Sequence, residues 1–277
     1  MPSSLQRNAV AIGASTVVGV LTAIVVIIIE HIVEDLLHRV QEADPWVIAG
    51  LLVVGAVTAA LLVRYLGGRS SSTTETYVEQ YHDDDPPLEP LYAPGRLAAS
   101  VASLGSGAPL GMEGPAIYSG AVIATLFRTY FAWAKALDAR TLLTAGAAAG
   151  VAAVFKAPLA GAVFAVEVPY RDRFAGDKIL PAMFGSAAGY MTLAALDGAE
   201  SILDVGAFDL TIGSAAGSLL LGLIIGVVAR AIIALIRIAE VYSNKGVPLV
   251  RGLAAGVSLA ALFGLGRLLT GENVAIT

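Results

Sequence analysis

Residues 103–120 read SLGSGAPLGMEGPAIYSG, an apolar, glycine-rich run that carries one carboxylate, Glu113. A lone charge in such surroundings is costly, and an ionisable side chain at membrane depth usually faces a cavity or a partner, which makes it a functional candidate. Gly114 and Pro115 follow it. Proline suits the first turn of a helix, where its missing N–H would have had no partner, so the spacing predicts that Glu113 opens a helix. A helix start presents unbonded N–H groups and the positive end of its dipole, a place for an anion or for the Glu113 carboxylate itself. The two would compete, and protonation of Glu113 would leave the site to the anion. The plain alternative is a glutamate capping a surface helix; the apolar run around Glu113 weighs toward function.

Around this run the apolar stretches are short, at 97–104, 115–127, 141–153 and 158–168, and are broken by Gly and Pro. None reaches the roughly 20 residues needed to cross hydrocarbon. Irregular backbone at membrane depth survives only where it is buried in protein or lines a cavity, so a transport site belongs between 97 and 168. Farther out lie apolar stretches of spanning length, at 9–29, 46–66, 179–197, 211–236 and 247–269. With 57% hydrophobic residues, 14% charged residues and a mean hydropathy of +0.78, the solvent of this chain is a bilayer. It reads as an all-α, multi-pass integral membrane protein, of the plasma (inner) membrane. Its 30 glycines permit close helix approach. The segment 67–96 is the one long polar break, a loop with room for a short helix after Thr74.

Several functions fall away. Without Cys there is no thiolate metal site, disulfide or Cys nucleophile. His31, His38 and His82 are scattered, so neither a metal nor a cofactor is expected. A net charge of −5 speaks against nucleic acid. Glu113 has no second acid or nucleophile beside it, which argues against an enzyme.

Arg64, Arg69, Arg171, Arg173, Lys178, Arg230, Arg237, Lys245 and Arg251 place their loops in the cytoplasm by the positive-inside bias, and put 30–45 and 198–210 outside. Arg7 precedes the first apolar run, which lacks a small-residue cleavage site and reads as a first span running outward. The 211–236 span then runs inward. Gly19 and Gly222, Pro45 and Pro248, and Gly68 and Gly271 are each 203 residues apart. The pattern reads as an inverted repeat, with 1–205 the first copy and 206–277 the beginning of a second, incomplete one, and with the substrate between the halves.

At this point a family resemblance is specific. Gly111, Met112, Glu113, Gly114 and Pro115 resemble the G-x-E-G-P signature of the CLC chloride channels and proton–chloride antiporters. Residues 145–167, AGAAAGVAAVFKAPLAGAVFAVE, are similar to the family's A-G-A-A-A-G…F-x-A-P-L-A-G…F…E segment. The resemblance implies a homodimer in which each subunit carries its own anion pathway, with Glu113 as the gate and 111–115 at the anion site. It also implies a broken-helix, inverted-repeat fold whose second repeat is truncated here. The 158–168 and 179–197 helices would line the dimer face.

The departures matter as much. The family's G-S-G-I-P turn should fall where this chain reads Ser71-Ser-Thr-Thr-Glu75, and an ungapped count puts Ser72 at the anion-binding serine. A polar loop serine is the equal alternative. Coupled exchangers of the family carry a second Glu after the one matched by Glu167; here Val168 stands in that proton-pathway position, as in the family's channels. Channel-like chloride conduction therefore leads, with proton-coupled antiport, a fluoride-selective protein and a non-conducting fragment as alternatives. Glu167, near Arg171 and Arg173, is expected to be bonded structurally at a helix end.

Overall fold

The computed structural model describes residues 4–68, 73–82, 88–170, 173–199, 211–243 and 247–270. These form α1 (Ser4–Gln41), α2 (Pro45–Leu66), α3 (Thr73–His82), α4 (Ala93–Leu104), α5 (Glu113–Tyr130), α6 (Ala139–Phe155), α7 (Pro158–Glu167), α8 (Ile179–Leu196), α9 (Ile212–Ser243) and α10 (Pro248–Thr270), joined by short 3₁₀ turns and loops. Among them, α1, α2, α8, α9 and α10 contain stretches long and apolar enough to cross a membrane. The interrupted helices α3 to α7 lie between the first two and the last three, as the chain's broken apolar pattern predicts.

One boundary differs from expectation. The acidic stretch from residue 30 is not a loop, because α1 continues through Glu30, Glu34, Asp35 and Arg39 to Gln41. Glu, Leu and Arg favour helix, and here the charged side chains at 34, 35 and 39 point into open space while Val33 and Val40 stay buried. With 38 residues, α1 is about 57 Å long, nearly twice the hydrocarbon thickness, so it tilts or projects beyond the membrane. The expected division at 205/206 falls in 200–210, outside the described residues.

The hub is α6, whose residues from Thr141 to Ala153 are all buried. Its small side chains let four helices approach. On one face Gly146 meets the backbone of Gly120, and Gly150 meets that of Ala116, so α5 crosses antiparallel through two facing small-xxx-small pairs. On another, Gly185 and Gly189 of α8 rest on Ala145 and Ala149. Gly161 of α7 rests on Ala148, and Gly19 of α1 presses against Gly185. Lys156 ends α6 at φ +52°, and Pro158 starts α7, which sets the sharp break between them.

Farther out, α10 packs antiparallel on α2, with Gly252 against Val57 and Gly256 against Val53. Pro45 and Pro248, one of the pairs 203 residues apart, open these two helices. The described side chains of α9 are almost all exposed.

Candidate functional site

The loop from α4 into α5 turns at Gly107, whose φ of +89° suits glycine. Glu113 is the first residue of α5, after the Met112 N-cap. The first intrahelical bond runs from Ala116 N–H to Met112 O at 3.0 Å. Pro115 has no N–H to leave unbonded, which leaves the Glu113 and Gly114 N–H groups free of helical partners. Met112 packs beside Ile29, Val33 and Leu104 and so anchors this start against α1 and α4.

The Glu113 side chain is half-buried and folds back over Gly111, where any Cβ would collide with its carboxylate. The carboxylate takes no hydrogen bond or ion pair from the described residues, and glycine at 111 makes the room for it.

Beside this start lies a second one. A Cβ at Gly114 would come 2.5 Å from the Thr73 hydroxyl oxygen, at the first residue of α3. Two positive helix ends thus meet at the 113–114 backbone. Thr73 is a residue that the sequence reading passed over in favour of its neighbour Ser72, which lies outside the described residues. The run of hydroxyl residues at a helix start was the available signal.

A cation locks the two helices together. Arg96 of α4, only 7% exposed, donates from Nε to Gly67 O and from Nη1 to Thr76 Oγ1, both at 2.6 Å, and its guanidinium lies 5.2 Å from the centre of the buried Tyr118 ring of α5. It therefore spans the α2 C-terminus, the first turn of α3 and the second turn of α5.

The other singled-out residues sit elsewhere. Val168 caps α7, half-buried against the main core. Glu167 is exposed and its carboxylate has no partner among the described residues. Arg171 lies outside the described residues.

The geometry has a counterpart among known proteins. The family profile described as "Voltage gated chloride channel" matches residues 54–275. This chain belongs to that family, the CLC proteins. It is 33% identical over 141 residues to a "Chloride/fluoride channel protein" of Pseudomonas syringae pv. tomato, covering 51% of this chain and 31% of that protein. It is 36% identical over 138 residues to an "H(+)/Cl(-) exchange transporter ClcA" of Cronobacter sakazakii, covering 49% of this chain and 29% of that one. The matched segments thus span about a third of these curated relatives. In fold, the chain is similar to a crystal structure of a CLC-type fluoride/proton antiporter, with a TM-score of 0.82 and 24% identity over 99% of this chain and 68% of that one. It is also similar to a slow cyanobacterial Cl−/H+ antiporter, with a TM-score of 0.74 and 24% identity over 90% and 63% of the two chains.

Proposed function

We propose that this chain supplies part of a pathway for a small halide, and that Glu113 is its gate. The observation that carries the reading is a half-buried carboxylate, without a partner among the described residues, at the start of α5 beside the start of α3. Unbonded N–H groups and two neighbouring helix starts favour an anion there, and the Glu113 carboxylate is the anion the chain itself provides. When it is charged it competes with the halide. When it is protonated the competition ends. Gly111, Met112, Gly114 and Pro115 shape the place, and the Thr73 hydroxyl stands within its reach; Ser72 belongs to the same proposal as the residue just before α3.

Conduction is uncoupled on this reading, because Val168 offers no carboxyl at the end of α7 to pass a proton inward. A coupled exchange of fluoride or chloride is the second reading, favoured by the fluoride/proton and Cl−/H+ antiporters that share the fold. The subunit is a homodimer, supported by the apolar, exposed face that Leu159, Phe164, Met183, Phe184 and Met191 form on α7 and α8.

The test is halide efflux and external pH recorded together from proteoliposomes. Wild-type flux rises as pH falls, whereas Glu113→Gln, which keeps the size and loses the charge, gives flux independent of pH. An unchanged pH dependence in that variant removes Glu113 from the gate. Proton movement at a fixed ratio to halide replaces the uncoupled reading with the exchanger.

A further inference from the structure

Where α5 ends and α6 begins, the chain borders an open cavity of about 420 Å³. Arg128, Lys135 and Gln80 bring polar groups to it, and Leu88, Ala124 and Leu143 wall it. The Gln80 side chain, nine-tenths buried and part of the lining, accepts the Leu88 N–H through Oε1, which commits its oxygen and leaves its amide NH₂ with no partner among the described residues. The Arg128 Nε is buried and unpartnered, and neither Arg128 nor Lys135 forms an ion pair among the described residues. The lining hydroxyls of Thr125 and Thr129 donate to carbonyls of their own helix at 2.9 Å. The cavity therefore offers cationic and amide N–H donors, and no described carboxylate lines it. Such a lining is matched by an anion with several acceptor oxygens, and the planar guanidinium with a neighbouring ammonium fits a phosphate.

Its height in the membrane identifies the source of that phosphate. Tyr130, Phe131 and Trp133 lie exposed at the end of α5, with Phe127, Phe131 and Trp133 clustered at 4.7–6.2 Å between ring centres, and exposed aromatic rings of this kind sit at the headgroup level. Lys178 bridges to Asp138 at 2.7 Å, which fixes the start of α6 beside the start of α8, at the basic end that the positive-inside bias assigns to the cytoplasm. We propose that this cavity binds the phosphate of an anionic lipid headgroup from the cytoplasmic leaflet, gripped by Arg128, Lys135 and Gln80.

The test uses the delipidated full chain in detergent, titrated with phosphatidylglycerol, phosphatidylcholine or inorganic phosphate and followed by native mass spectrometry and thermal unfolding. Phosphatidylglycerol is expected to remain bound under activation that strips phosphatidylcholine. Affinity for it should fall about fivefold in Arg128→Gln and again in Lys135→Gln, whose side chain is exposed and whose loss leaves the core intact. Equal retention of the two lipids, or a preference untouched by both substitutions, overturns the site. Inorganic phosphate protecting as well as the lipid does overturns the lipid source. A gain of lipid on neutralising Asp83, Asp84 and Asp85 together, without dependence on Arg128, assigns the cavity to the chain's own acidic stretch instead.

Discussion

Gly146→Ala tests whether the α5–α6 seam holds the candidate site in place. At that position a Cβ would run into the carbonyl group and Cα of Gly120, and at Gly120 a Cβ would run into Gly146 in return. Both obstacles are backbone in mid-helix, which cannot rotate aside as a side chain can. The helices must part, and overpacking of this kind costs about 1–3 kcal/mol. Part of that is offset by the better helix propensity of Ala, at most about 1 kcal/mol. Gly222, on α9, has nothing within 4 Å, so Gly222→Ala carries the propensity gain without the collision. Denaturant unfolding of the two variants in detergent should separate them, Gly146→Ala below wild type and Gly222→Ala at or above it. Because Gly120 lies seven residues after Glu113, about 10 Å along α5, the parting should also shift the gate and alter its pH response. Equal stability of the two variants would refute the backbone-contact reasoning.

Arg96→Met should lower stability by about 1–3 kcal/mol, because the buried Gly67 carbonyl loses its donor, and Arg96→Lys should recover only part of this since one ammonium cannot repeat the guanidinium fork; the measurement is thermal unfolding, and an unchanged midpoint in Arg96→Met counts against the lock. At Asp138, burial works to raise the carboxyl, but Lys178 and the Arg140 N–H outweigh it and hold the group below its ordinary range. Its contribution is therefore present above the unfolded value, near pH 4, and is lost as pH falls through the lower folded one, so the stability gap between wild type and Asp138→Asn should close in acid. The chain has no Cys, which makes Phe184→Cys a clean probe of the α7–α8 face: it should crosslink as a dimer in lipid, and monomers alone would contradict the assembly.

What the sequence makes legible follows from the physics of each signal. Apolar runs of spanning length show in composition alone, and Gly-Pro interruptions mark the broken helices, so α2, α8 and α10 fall within a residue of their expected places, while α9 starts as expected and runs on past residue 236 to Ser243. The end of α1 escaped because charge was read as loop, whereas Glu and Arg are good helix formers once a helix leaves the hydrocarbon. The start of α5 at Glu113 was legible from Pro115. Thr73 and Arg96 were not, because each acts on residues distant in the chain: Thr73 meets Gly114 and Arg96 reaches Gly67, Thr76 and Tyr118. No local spacing encodes those meetings.

The charges around the α5 start bear on the proposed gating by Glu113. Arg96 is buried and already committed to a carbonyl, a hydroxyl and an aromatic face, so its charge is fixed in place beside α5. In a site of low effective dielectric a fixed cation and two helix ends raise the local preference for negative charge more than the same groups would in water. Something anionic is then favoured there at all times, and an unanchored side chain can be that occupant or yield to another. Glu113 fits the proposed role because no described residue bonds its carboxylate and Gly111 gives it space to lie down. A firmly bonded carboxylate at the same point would block the site permanently, and a neutral residue would leave it open at every pH.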